Sequence, residues 1–236
     1  MNNFLVSLIT MDHINFERDI RLVDNLGVDG LHIDIMDGHF VPRYGIYPEI
    51  IERASSISSL PLDLHMMVRD IEFTIDQFKH VPNIEYVHFH IEACIGNEMR
   101  VVDKIREIGA KPVACLNLAT SFNTLDRLVK NNEIDGVMLM GIHPGVLKQS
   151  SRPKNILTDL SDLKDNISQS NASSFVALDG AVSMETIRSL SEAGINHFVG
   201  GTSSIYKDVN RKDEWDIQEK KIEQNWLKIK ELLGKN

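Results

Sequence analysis

The chain has 236 residues, with 25 Lys+Arg against 34 Asp+Glu and a formal net charge of −9, and it carries no basic stripe of the kind a nucleic-acid partner requires. An apolar share of 42% with 25% charged residues is ordinary globular composition, the length suits one α/β domain spanning residues 1–236, and no stretch approaches a membrane span. The two cysteines, Cys94 and Cys115, lie far apart without a C-x-x-C, so neither a disulfide framework nor a zinc knuckle is indicated.

Short β-type runs alternate with helical patterns along the whole chain. The N-terminal MNNFLVSLITMDH has an apolar run but no basic start and no cleavage pattern, so Phe4–Ile9 reads as a first strand rather than a signal peptide, and a reducing cytoplasm is the expected compartment. A helix from near Asp12 to Asn25 follows, closed by Gly27. Next come a strand at Gly30–Ile35 and a helix at Pro48–Ser56, then a strand at Leu62–Val68 and a helix from Asp70 to Lys79. The fourth strand is Tyr86–Ile91, with a helix from Asn97 to Gly109; the fifth is Pro112–Asn117, with a helix across Phe122–Lys130. Gly136–Ile142 is the sixth strand, and a long connection leads to a helical stretch at Ile156–Ile167. Phe175–Asp179 is the seventh, followed by a helix opened by Ser183 and closed by Ala193-Gly194; His197–Gly201 is the eighth, and Trp215–Leu233 is an amphipathic last helix.

Strands alternating with helices imply right-handed βαβ units and a parallel sheet. Eight units in this length predict a closed (β/α)₈ TIM barrel. An open doubly wound sheet would need a phosphate-binding G-x-G-x-x-G after an early strand, and none is present.

The stretch Leu31 to Pro42, LHIDIMDGHFVP, carries the clearest chemical signal. Leu31, Ile33 and Ile35 alternate with His32, Asp34 and Met36, so one strand face is aliphatic and the other offers an imidazole, a carboxylate and a thioether before the turn signal Asp37-Gly38. Reactive groups of such barrels sit at the C-terminal strand ends. Polar residues gather there: His65 and Met67 on strand three, His88, His90 and Glu92 on strand four, Asn117 on strand five, Met138 and Met140 on strand six, and Asp179 on strand seven. Two His and two Asp pointing inward from three strands are costly to bury unpaired, and a divalent metal would remove that cost.

Taken in order, LHIDIMDGHFVP, LDLHMMV, FHIEA, LNLAT, VMLMGIHPG, ALDGAV and FVGGTS resemble the ribulose-phosphate 3-epimerases over nearly the whole chain, and the tail VGGTSSIYKDVN also resembles the branch acting on allulose 6-phosphate. The resemblance implies a (β/α)₈ barrel with one divalent metal held by His32, Asp34, His65 and Asp179. It implies that Asp34 and Asp179 double as the two acid/base groups, that Met36, Met67 and Met140 form a sulfur-lined rim, and that Ser7 contacts substrate. It further implies a phosphate held by backbone N–H groups of Gly180, Ala181, Gly201 and Thr202, with the loop from Gly145 closing over it. The ligand set suits zinc first, and manganese, iron or cobalt as well, with no organic cofactor. The expected partner is a small ketose phosphate, with no nucleic acid or membrane, and a homo-oligomer is expected.

The chain departs from the family pattern where phosphate would bind. The family's N-P-G-F-G-G-Q loop reads His143-Pro144-Gly145-Val146-Leu147-Lys148-Gln149, the second glycine after Asp179 is Ala181, and the family's loop asparagine after V-P is Arg43. Two further readings follow: the six-carbon epimerase, and a non-catalytic sugar-phosphate barrel. A decarboxylase of the orotidine-monophosphate type would carry D-x-K-x-x-D, and Asp34-Ile35-Met36-Asp37 lacks the lysine.

Overall fold

A computed structural model of the chain describes residues 2–146 and 175–235. Eight parallel strands close on themselves in chain order, and β1 pairs with both β2 and β8. They are β1 Asn3–Ser7, β2 Gly30–Met36, β3 Leu62–Met67, β4 Ile84–His90, β5 Lys111–Leu116, β6 Gly136–Met140, β7 Phe175–Asp179 and β8 His197–Gly200. Among the described residues the helices outside them are α1 Phe16–Asn25, α2 Pro48–Ile57, α3 Ile71–Asp76, α4 Glu98–Glu107, α5 Asp126–Lys130, α6 Ile187–Ala193 and α7 Trp215–Leu233. None of these helices is long and apolar enough to cross a membrane. The helical stretch expected at 156–167, and Leu147 and Lys148 of the loop after β6, lie outside the described residues.

The period-2 alternation of each strand divides its side chains between two cores. Leu31, Ile33, Leu62, Leu64, Val87 and Phe89 point outward and pack with Ile20, Val23, Ile51, Ile75, Val102 and Ile105 of the helices in one continuous cluster. The inward face is split. On the β5–β7 side it is apolar, with Val113, Cys115, Met138, Met140 and Ala177 packed together. On the β2–β4 side it holds His32, Asp34, Asp63, His65, His88 and His90, all buried. The N-terminal end of the barrel is plugged by rings: Phe175 stacks on His197 at 3.8 Å between centroids and meets Tyr86 edge-on at 5.0 Å. The last helix locks the closure, because the Trp226 indole donates to the Leu26 carbonyl at 2.7 Å and packs against Phe4 of β1.

Several helices start later than the sequence pattern predicts, and the reasons are local. Asp12 bonds the backbone N–H of Ile14 and the side chain of Asn15, a turn that competes with a helix, so α1 begins at Phe16. The Thr186 hydroxyl bonds back to the Ala181 carbonyl, which holds the residues after Ser183 in a turn, so α6 begins at Ile187. The third helix is one short segment ending at Asp76 instead of reaching Lys79. The helix expected over Phe122–Lys130 divides into a 3₁₀ turn, Phe122–Leu125, and α5. The glycine stops hold: Gly27, Gly109 and Gly194 all take positive φ.

The loop after β2 positions the site. Gly38 takes φ +73 and Asp37 accepts backbone N–H bonds from His39, Phe40 and Arg69, tying the ends of β2 and β3 together. The chain then folds back so that Gly45 donates to the Met36 carbonyl and Ile46 to the Asp34 carbonyl. A Cβ on Gly45 would lie 2.3 Å from the Asp34 carbonyl oxygen, so only glycine permits this return over the end of β2.

Candidate metal and acid/base site

β2 delivers His32 and Asp34 at adjacent inward positions, β3 places His65 directly across from Asp34 in register, and β7 ends at Asp179. One donor atom from each of the four lies within 4.8 Å of the others. The Asp34 Oδ1 is 3.5 Å from His32 Nε2 and 3.4 Å from His65 Nδ1; the Asp179 Oδ2 is 4.0 and 3.4 Å from the same nitrogens. Asp34 Oδ2 accepts a 2.9 Å bond from the Ser7 hydroxyl, which leaves Oδ1 aimed at the cluster.

His32 Nε2 and His65 Nδ1 are buried without a well-formed hydrogen bond. Buried polar atoms are rarely left so. Donor atoms about 2.0–2.2 Å from a tetrahedral centre lie roughly 3.3–3.6 Å apart. The 3.4–3.5 Å separations above match that spacing, and a mixed set of two imidazoles and two carboxylates suits a borderline divalent ion. The residues therefore fit a divalent cation. Protons occupy the same atoms otherwise. Burial works against a charged His32 and His65, but the neighbouring carboxylates outweigh it: Asp63 and Asp34 raise His32 well above the ordinary imidazole range, and Asp179 and Asp34 raise His65. Burial likewise works to raise Asp34, yet the two imidazoles beside it hold it well below the usual carboxylate range. Cation binding at such a site competes with protons.

Above the cluster opens a cavity of about 670 Å³. Asp34 and Asp179 form part of its wall, while His32 and His65 lie beneath it, fully buried. Every residue the sequence assigned to substrate lines this one cavity: Ser7, Met36, Met67, Met140, Gly145, Gly180, Ala181, Gly201 and Thr202. Gly180 and Ala181 take φ of +81 and +57, so Ala181 holds a left-handed conformation that glycine would adopt without strain. The Gly201 N–H is already donated to the Ser204 hydroxyl at 3.0 Å. Arg43 also reaches the cavity wall.

Sequence reasoning passed over Asp63. Its Oδ2 lies 3.0 Å from His32 Nδ1, and its other oxygen pairs with His88 Nε2. Burial works to raise its pKa, but His88 and His32 hold the carboxyl well below the usual range. A carboxylate behind a His fixes the tautomer and orients the other ring nitrogen. The signal was present in the alternation Asp63-His65-Met67, which puts Asp63 on the same inward face as His65.

A closed (β/α)₈ barrel whose C-terminal cavity is lined by two carboxylates, with two imidazoles buried beneath them in a cluster that could hold a metal ion, belongs to the class of barrels that gather their reactive groups at the C-terminal strand ends. Residues 4–206 match the ribulose-phosphate 3 epimerase family. The chain is 29% identical over 203 residues to the ribulose-phosphate 3-epimerase of Methanocaldococcus jannaschii, covering 86% of this chain and 83% of that one. It is 31% identical over 226 residues to that of Buchnera aphidicola subsp. Acyrthosiphon pisum, covering 94% and 96%. Among solved structures, KGPDC from Streptococcus mutans superposes with a TM-score of 0.68 at 12% identity over 99% of this chain and 98% of that one. Orotidine 5'-phosphate decarboxylase from Pyrococcus horikoshii does so with 0.62 at 13% over 96% and 99%; at such identities these two share the fold alone. The chain belongs to the ribulose-phosphate 3-epimerase family and is an epimerase, an isomerase acting on carbohydrates.

Proposed function

We propose that this protein is a metal-dependent ketose-phosphate 3-epimerase that interconverts ribulose 5-phosphate and xylulose 5-phosphate by two-base proton transfer through an enediolate. The observation that carries this reading is the pair of carboxylates, Asp34 and Asp179, which come from opposite parts of the barrel sequence yet converge on one cavity floor over the same two imidazoles. His32, Asp34, His65 and Asp179 would hold the cation, which when bound supplies Lewis-acid polarisation of the substrate carbonyl and so acidifies the proton on the neighbouring carbon.

The carboxylates do the proton work. One, ionised, removes the carbon 3 proton from one face; the other, protonated, returns a proton to the opposite face, and the roles exchange in the reverse direction. The Ser7 hydroxyl steadies the Asp34 carboxylate through Oδ2. Met36, Met67 and Met140 line the cavity beside these groups and keep water from the reacting carbons with polarisable, uncharged surface. The phosphate is held by backbone N–H groups at Gly180 and Ala181, where a left-handed turn directs N–H groups to one side, and at Thr202 after β8. Gly201 joins that set only by giving up its bond to Ser204.

A panel of pentulose and hexulose phosphates, each followed for inversion at carbon 3, tests the reading. The expected result is the highest kcat/KM for the five-carbon pair. Preference for allulose 6-phosphate would move the assignment to the six-carbon branch. Binding without turnover of any ketose phosphate, with metal supplied, would sink the enzymatic reading.

A further inference from the structure

The inward face of β4 carries groups that the proposed reaction does not use, and one chain of them runs directly behind His65. His65 Nε2 lies 3.0 Å from His90 Nε2. The two ring planes are inclined by 22° with centroids 5.1 Å apart, so the short contact joins the rings edge to edge, as an in-plane N–H···N bond requires; face-on stacking at that nitrogen spacing would bring the centroids much closer. On the far side of the ring, His90 Nδ1 faces Glu92 Oε2 at 3.4 Å. Both of these atoms are buried without a well-formed hydrogen bond among the described residues, so each is the nearest available partner of the other. The other Glu92 oxygen is fixed by the Asn117 N–H at 2.8 Å and by the Thr120 hydroxyl. Glu92 Oε2 is thereby held toward His90 as an acceptor.

Counting protons along this line leaves one arrangement. His65 Nδ1 faces the oxygens of Asp34 and Asp179, the side on which a cation would sit, so it must present a lone pair there. Its proton then resides on Nε2 and is donated to His90 Nε2. The His90 proton must be on Nδ1, and its acceptor is Glu92 Oε2. We infer that His90 and Glu92 are positioning residues that fix the tautomer and ring orientation of His65 through a carboxylate–imidazole–imidazole relay, the counterpart of the direct Asp63 carboxylate behind His32. This inference rests on the reading of His65 as a metal ligand.

A competing use of the same atoms is a second cation held by His65, His90 and Cys115, whose donor atoms also converge within 4.8 Å. That site would require His65 to lose the protons from both ring nitrogens and Cys115 to become a thiolate in a fully buried position. The relay needs neither.

The test uses the full chain, reconstituted with zinc as the probe and titrated against a chromophoric chelator. Wild-type protein is expected to bind one equivalent. His90→Phe keeps a ring between His65 and Phe40 but removes both nitrogens, and its zinc Kd should rise ~10–100-fold, as is typical when the partner behind a ligating imidazole is lost. Glu92→Gln should weaken binding similarly, because one amide cannot accept from both His90 and the Asn117 N–H. Cys115→Ala should leave affinity and stoichiometry unchanged. Ring ¹⁵N shifts of the zinc-loaded wild type, which require no variant to fold, should report a proton on Nδ1 of His90 and on Nε2 of His65. A His90 proton on Nε2, or wild-type affinity in both His90→Phe and Glu92→Gln, overturns the relay. So does a second zinc equivalent that disappears in Cys115→Ala, which would assign these atoms to a second cation. If the wild type takes up no divalent cation, the metal reading itself falls, and the relay with it.

Discussion

Replacing Asp34 with asparagine separates the chemistry of this carboxylate from its packing. Asp34 is buried, with Oδ2 accepting from Ser7 at 2.9 Å and Oδ1 3.4–3.5 Å from two imidazole nitrogens. An asparagine oxygen can take the place of Oδ2 beside Ser7. Its amide N–H₂ then faces His32 Nε2 and His65 Nδ1, the nitrogens that Asp34 favours in protonated form when no metal is bound, so Asp34→Asn keeps the side chain's volume but removes the charge that offsets the two imidazoles. What it cannot do is accept the carbon 3 proton or offer a second oxygen lone pair to a cation. Loss of a general acid/base group costs ~10²–10⁴ in rate, or about 3–5 kcal/mol of barrier. Turnover of ribulose 5-phosphate at saturating metal, with loading verified by elemental analysis, should therefore fall at least ~10²-fold in both directions. Chemical denaturation of the metal-free protein at neutral pH should meanwhile give a lowered midpoint, because the two imidazoles lose their carboxylate partner, and metal-free wild type and variant are compared for folding before metal is added. A metal-loaded variant within tenfold of wild-type kcat would refute the role assigned to Asp34.

Two other perturbations probe the interior around the site. Asp63→Asn removes the negative charge between His32 and His88 while keeping the side chain's volume; the metal Kd should rise ~10–100-fold, read by chelator competition, and an unchanged Kd would make Asp63 a packing residue only. The second concerns His197, which lies at the opposite end of the barrel from the metal cluster, stacked on Phe175 and bonded to Asn3. Burial pushes its imidazole down to about 4, below the ordinary value of about 6.5 in an unfolded chain. The unfolded state thus takes up a proton that the folded state refuses. The stability His197 contributes is complete above about pH 6.5 and is lost as pH falls from there toward 4, at up to about 1.4 kcal/mol per pH unit. Urea denaturation across that window should show the loss in wild type and a shallower one in His197→Gln; equal slopes would contradict it.

Much of the barrel was legible because its signals are local. β7 and the last helix are found where the sequence places them, since the Asp179-Gly180 turn and the Gly234 stop leave no room for extension. The four residues of the candidate metal cluster were legible because they alternate inward at strand ends, and barrel closure converts that one-dimensional rule into convergence. The helix starts at Asp12 and Ser183 were not, because there a local turn competes with the first helical turn and only the folded backbone shows which prevails. Asp63 escaped for a different reason. A carboxylate two residues before His65 reads as half-exposed strand decoration until the barrel closes over it and pairs it with His32 and His88, residues on two other strands. The relay through His90 and Glu92 needed still more: the separation and inclination of two rings from different strands, which no spacing encodes.

The most direct test of the account is turnover of ribulose 5-phosphate in D₂O, with the carbon 3 position followed by NMR in substrate and product. Two-base transfer through an enediolate predicts that xylulose 5-phosphate forms with deuterium at carbon 3, and that inversion and loss of the original proton proceed together. Product that retains its original carbon 3 proton would contradict abstraction by Asp34 or Asp179 and, with it, the function proposed for this site.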